Sequence, residues 1–171
     1  MFTDPLKNLK ALGLREDNIV ADLGAGTGYY SIILGTLVPR GKVYAVELQK
    51  DFLETIHNKV KKAHLENVEI IWGNIEKMGG TKIKDGIVDA VVVSNVLFQI
   101  EDKGNFIEEV KRILKSQGKV LLIDWSQSSV MGAMTIVSKD KARSMFEEKG
   151  FVVDREIDAG DHHYGMILRK L

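Results

Sequence analysis

Short apolar runs alternate with amphipathic stretches along almost the whole chain. Residues 18–23 (NIVADL) form a brief apolar run ending at a glycine, as a strand buried on both faces does. Residues 27–38 read as a helix, stopped by Pro39-Arg40-Gly41. Residues 42–48 (KVYAVEL) read as the next strand. Residues 49–64 place Phe52, Leu53, Ile56 and Val60 at the three- and four-residue spacing of one helical face. A third strand is predicted at 67–72 (NVEIIW) and a fourth, the most apolar, at 88–93 (VDAVVV). Phe106, Ile107, Val110, Ile113 and Leu114 mark a helix over 105–115, and a fifth strand follows at 118–125. A helix at 140–149 and strands at 151–157 and 163–169 complete the pattern.

Strands separated by helices predict an α/β fold, a mostly parallel sheet with helices on both faces. The last two strands depart from this. Residues 158–162 are too few for a parallel crossover, so the final pair must be an antiparallel hairpin. The pattern thus predicts a doubly wound seven-stranded sheet with one antiparallel strand near its C-terminal end. No repeat, low-complexity tract or linker interrupts it, and residues 1–171 read as one domain.

Composition narrows the function classes. The chain has 171 residues, 44% hydrophobic and 28% charged, which excludes a disordered, collagenous or coiled-coil protein. Its 24 Lys and Arg against 24 Asp and Glu leave no global field to draw in nucleic acid or an anionic membrane. The absence of Cys excludes a disulfide scaffold, a Cys-ligated zinc site, an iron–sulfur cluster and a Cys nucleophile. The opening residues carry no basic segment followed by an apolar one, and no apolar run approaches the ~20 residues that span a bilayer. The expectation is a cytoplasmic protein with no membrane partner.

Candidate chemistry concentrates in Val20-Ala21-Asp22-Leu23-Gly24-Ala25-Gly26-Thr27-Gly28-Tyr29, between the first strand and the first helix. Gly24 and Gly26 allow a sharp turn and close approach of a ligand to the backbone. Gly28 lets the helix pack closely. Glu47, followed by Leu48, ends the second strand, where an acid can accept both hydroxyls of a ribose. A dinucleotide would want G-x-G-x-x-G and a pyrophosphate on the helix N-terminus. Here the spacing is G-x-G-x-G, and Asp22 stands where it suits an ammonium better than a phosphate. S-adenosylmethionine carries an ammonium, a ribose and an adenine, and no phosphate.

The loop with Glu47 resembles motif I and the ribose acid of the class I, Rossmann-like S-adenosylmethionine-dependent methyltransferases. Val88-Asp89-Ala90-Val91-Val92-Val93-Ser94-Asn95-Val96-Leu97 is similar to that family's fourth-strand motif, and Val110-Lys111-Arg112-Ile113-Leu114-Lys115-Ser116-Gln117-Gly118-Lys119 to its helix-to-strand turn. The latter most resembles the branch holding the ubiquinone and menaquinone biosynthesis methyltransferases. The resemblance implies S-adenosylmethionine as cofactor. Asp22, Gly24, Ala25 and Gly26 would line its methionine end, Glu47 would hold its ribose, Gly73, Asn74 and Ile75 would frame its adenine, Asn95 would reach the amino-acid end through its backbone, and Gly28 and Leu48 count among the cofactor-binding positions. Asn74 stands where many relatives carry Asp, which keeps an acceptor but loses charge assistance. Turn residues are the plain alternative for Asn74 and Asn95, and a surface carboxylate for Glu47.

The resemblance implies a small-molecule methyl acceptor. The stretch before residue 18 is short for the helices with which relatives cover a substrate, so an RNA or protein acceptor, a completing subunit in an oligomer, or a non-catalytic cofactor-binding module stays open. Acceptor-side candidates lie beyond the fifth strand: Trp125, then Met131 and Met134 in an apolar stretch readable as lid or core, then His162 and His163 at the final hairpin. The two His could serve as a base or as turn residues. Adjacent strand residues point to opposite faces, so no metal site is expected.

Overall fold

The computed structural model describes residues 4–126 and 136–171. In chain order the elements are α1 (Pro5–Ala11), β1 (Ile19–Leu23), α2 (Tyr29–Leu37), β2 (Lys42–Glu47), α3 (Lys50–Lys62), β3 (Val68–Trp72), β4 (Val88–Ser94), a 3-10 turn (Leu97–Gln99), α4 (Lys103–Ile113), β5 (Leu114–Trp125), α5 (Lys139–Glu147), β6 (Phe151–Ile157) and β7 (His163–Lys170). The seven strands form one sheet in the order β3-β2-β1-β4-β5-β7-β6. The first five are parallel, and β7 runs antiparallel between β5 and β6, as the short final connection requires.

The core lies on both faces of the sheet. On one, Ala21, Leu23, Val91, Val93, Val120 and Leu122 pack with side chains of α4 and α5, Phe106 and Phe146 among them. On the other, Val20, Val43, Val92, Leu121 and Ile123 pack against Leu34 and Val38, with Leu9 and Leu12 closing over them. Central β4 therefore needs apolar residues facing both ways, which is why it reads as a VDAVVV run interrupted only by Asp89.

Two details depart from expectation. β5 begins at Leu114 rather than Gly118, because an irregularity between the pairs Val88–Leu114 and Ala90–Lys119 lets the strand bulge around Gln117, whose φ is 64°. The stretch before β1 is not bare. Asp4 caps α1 by accepting from the Lys7 N–H at 3.1 Å, and Pro5 takes the first helical position.

The order of the strands prepares the site. Connections leave β1 toward β2 and β4 toward β5, in opposite directions across the sheet. A crevice must open between the loops that follow β1 and β4, at the carboxyl ends of the strands.

Candidate active site

A cavity of about 450 Å³ occupies that crevice, within the size range of small-molecule sites. Asp22, Gly24, Ala25, Gly26, Glu47, Leu48, Gly73, Asn74, Ile75 and Asn95 all belong to its wall. Ten of the eleven positions read as cofactor-binding from sequence thus meet at one place, although they come from four separate connections.

The eleventh, Gly28, does not line the cavity. It starts α2 with φ 79°, and a Cβ there would come within 2.9 Å of Ile56 Cγ1 on α3. Its smallness serves the packing of α2 against α3. Gly26 is the opposite case. Its φ is 55°, and nothing stands within 4 Å of where a Cβ would be. The space beside it is the cavity.

Glu47 is nearly buried and works harder than a strand-end carboxylate. Its Oε2 accepts from the Gly26 N–H at 2.8 Å, and its Oε1 accepts from the N–H groups of Leu48 at 2.8 Å and Gln49 at 2.9 Å. The N–H groups of Gly24 and Ala25 both donate to the Val46 carbonyl, at 2.9 and 3.1 Å. The glycine loop is thus fastened to the end of β2. Its burial and three backbone donors set aside the alternative of a surface carboxylate.

Asp22 is buried, and its Oδ2 accepts from the Ser31 hydroxyl at 2.6 Å. Burial pushes its carboxyl up to about 6; the Ser31 bonds oppose the rise and the nearby Glu47 charge adds to it. A cation in the cavity would favour the ionised form and offset that desolvation. Asn74 accepts from the Glu76 N–H at 2.9 Å, so its carbonyl oxygen closes a turn while the residue faces the cavity beside buried Ile75. Asn95 directly follows β4 with φ 57°. Its N–H donates to the Ile123 carbonyl and its own carbonyl accepts from the Gln99 amide, both at 2.9 Å, while its buried Oδ1 has no partner. An unpartnered buried oxygen on a cavity wall is a vacancy for a donor.

Sequence reasoning missed Pro5, Tyr29, Tyr30 and Gln99, which also face the cavity. For Pro5 a signal was present: Asp-Pro is the signature of a helix start. The others carry no mark that a single sequence displays.

Of the acceptor-side candidates, Trp125, His162 and His163 sit at the same carboxyl edge but outside the cavity wall. Trp125 pairs with His163 across β5 and β7, and their rings lie 4.1 Å apart, tilted 35°. Burial, then the neighbouring His162, lowers the His163 imidazole below its ordinary value. Nδ1 of His162 and both ring nitrogens of His163 are buried without partners. Met131 and Met134 lie outside the described residues. Among the described residues, no three His, Asp or Glu side chains come together as a metal site.

Residues 14–154 match a family model described as a methyltransferase domain. The chain is 29% identical over 125 residues to a demethylmenaquinone methyltransferase of Geobacillus sp. (strain WCH70), covering 72% of this chain and 52% of that protein. It therefore spans about half the length of the curated relatives it matches. A solved SAM-dependent methyltransferase from Aquifex aeolicus superposes with a TM-score of 0.89 at 29% identity, covering 99% of this chain and 91% of that one. The [4+2]-cyclase SpnF superposes with a TM-score of 0.85 at 11% identity, covering 97% of this chain and 79% of that one, a likeness of fold alone.

Proposed function

Because the chain belongs to the methyltransferase-domain family, we propose that it binds S-adenosylmethionine in the cavity and transfers its methyl group to a small-molecule acceptor. The observation that carries this reading is the single wall shared by Asp22, the open face of Gly26, Glu47 and Asn95. Asp22 is placed for an ammonium, Glu47 for ribose hydroxyls, and the unpartnered Asn95 Oδ1 for a donor at the amino-acid end. Ile75 offers apolar contact to a flat ring, with Asn74 at its rim. Nothing in this set favours a phosphate: two carboxylates face the space where one would sit.

The bound cofactor would supply a sulfonium methyl that needs no further activation. The chain's residues then have to hold that methyl and a nucleophile in line and keep water out. The fastened glycine loop provides a rigid floor for this. His162 and His163 stand on the acceptor side in this reading. A depressed His163 is neutral near pH 7 and able to take a proton from an acceptor that must lose one. The small acceptor is supported by the name of the Geobacillus relative. One domain over residues 1–171 and a cytoplasmic location belong to the same proposal; among the described residues, no helix is long and apolar enough to cross a membrane.

Calorimetry with S-adenosylhomocysteine and with NAD tests the reading. S-adenosylhomocysteine should bind and NAD should not, and Gly26→Val should abolish that binding in a folded protein. Binding of NAD alone, or unchanged affinity in Gly26→Val, would overturn it. Binding without methyl release to any acceptor would identify a non-catalytic module.

A further inference from the structure

Among the described residues, Tyr29, Leu48, Trp72, Met78 and Leu171 are large apolar side chains more than half exposed, and the first three stand on or beside the cavity wall. Tyr29 and Leu48 belong to the cavity wall itself. Trp72 ends the edge strand β3 opposite Glu47 and donates its indole N–H to the Leu48 carbonyl at 3.0 Å. Met78 stands in the loop that returns from β3, whose Lys82 ammonium donates to the Trp72 carbonyl at 2.6 Å. Isolated exposed side chains would need no account, but Leu48 and Trp72 are joined at the rim of a cavity, with the loop that carries Met78 tied to the same strand end.

The charge around this group is mostly positive. Residues 72–84 contain Lys77, Lys82 and Lys84, all exposed, against the single acid Glu76. Half-buried Glu76 accepts from the N–H groups of Glu101 and Asp102, both at 3.0 Å. Lys50 of α3 adds a fourth ammonium, 4.9 Å from the centre of the Trp72 ring, and Lys82 lies 5.4 Å from it. Asp51 is the neighbouring acid on α3.

We propose that this rim is a docking surface for an anionic lipid bilayer, with Leu48, Trp72 and Met78 entering the headgroup region and the four lysines meeting lipid phosphates. An indole flanked by lysines, with aliphatic tips beside it, is the chemistry of an interfacial anchor. A nucleic acid fits less well. Its bases would need the faces of Trp72, which the two ammonium groups already attend, and the indole N–H is committed to Leu48. Because Leu48 is shared between rim and cavity wall, a docked molecule would hold the cavity mouth at the lipid surface. The contact is peripheral. The neutral net charge that argued against a membrane partner hides a local imbalance. The surface does not depend on methyl transfer.

Flotation with vesicles of phosphatidylcholine alone, and of phosphatidylcholine mixed with phosphatidylglycerol, tests the proposal. The protein should float with the anionic vesicles only and be released by salt. Lys82→Glu and Met78→Gln should each lower the partition coefficient about tenfold. Neither residue lines the cavity, so both variants should bind S-adenosylhomocysteine as the unaltered protein does. In a Trp125→Phe background Trp72 is the one remaining indole, and its emission should shift to the blue on anionic vesicles. Equal flotation with neutral vesicles, no flotation, or undiminished flotation of both variants would overturn the docking surface. So would a single-stranded oligonucleotide that binds the rim and displaces the vesicles. Loss of S-adenosylhomocysteine binding by the unaltered protein would count against the proposed cofactor and leave the vesicle result to stand by itself.

Discussion

At the scale of the residue, two buried carboxylates on one cavity wall differ in what holds them. Glu47 is surrounded by backbone donors, and its removal leaves the N–H of Gly26 without its acceptor. Glu47→Ala should therefore weaken S-adenosylhomocysteine binding by about 1–3 kcal/mol and also lower the thermal stability of the ligand-free protein. Calorimetry and a thermal melt separate the two effects, and an unchanged melt would refute the fastening role. Among the described residues, Asp22 accepts from Ser31 alone, and burial raises it to about 6. An unfolded aspartate titrates near ~3.9, so between about pH 4 and 6 the folded state holds more protons than the unfolded one. Through that window, stability should fall as pH rises. Binding of a cationic ligand should run the other way, weakening as pH drops below about 6. Asp22→Asn should flatten both dependences and leave the ligand-free protein about 1–3 kcal/mol more stable at pH 7. Urea titrations and calorimetry at several pH values check the signs.

At the scale of the element, glycine at the start of α2 decides how closely two helices lie. Gly28→Ala would place a methyl against Ile56 and hold a left-handed backbone at an L-residue. The expected cost is about 2 kcal/mol of stability, with S-adenosylhomocysteine affinity nearly unchanged in the folded fraction. Gly26→Val reverses that pattern, losing affinity with less effect on packing. Comparing the two variants by urea denaturation and calorimetry tests whether loop glycines divide between packing and cradle. The loop after β3 is held in a similarly specific way. Glu109 of α4 accepts from the N–H groups of Gly79 at 2.8 Å and Thr81 at 3.1 Å and pairs with Arg112. Burial alone would raise Glu109, but the Arg112 guanidinium, the Thr81 hydroxyl and those N–H groups hold it down to about 2. The connection carrying Asn74 and Ile75 is thereby anchored from behind, out of contact with any ligand.

At the scale of the whole molecule, the last strand in sequence is not the last in space. β7 fills the gap between β5 and β6, and its Met166 and Leu168 are fully buried. A chain ending at residue 157 should lose far more than a frayed end. It would leave β5 without its neighbour and β6 without a partner, and far-UV circular dichroism should show no cooperative unfolding transition. A folded, cooperative truncated protein would mean that the parallel half of the sheet is stable by itself.

What one sequence can settle here follows from short-range rules. Periodicity of apolar positions located strands and helices because each element must bury a face, and the length of 158–162 forced the hairpin because no crossover fits in it. Glycine spacing with two acids at strand ends marked the loop that lines the cavity for the same local reason. Tertiary structure decided the rest. α1 has seven residues, too few to display a period, and only its packing over Leu34 and Val38 shows that it covers the sheet and brings Pro5 to the cavity. Glu47 proved to hold the glycine loop as well as line the cavity, and Gly28 to pack against Ile56 without lining it, because partners distant in sequence surround each. The rim of Leu48, Trp72 and Met78 exists only once β2, β3 and the following loop end side by side. Such assignments depend on which residues meet across the chain, and neighbours along the sequence do not encode that one position at a time.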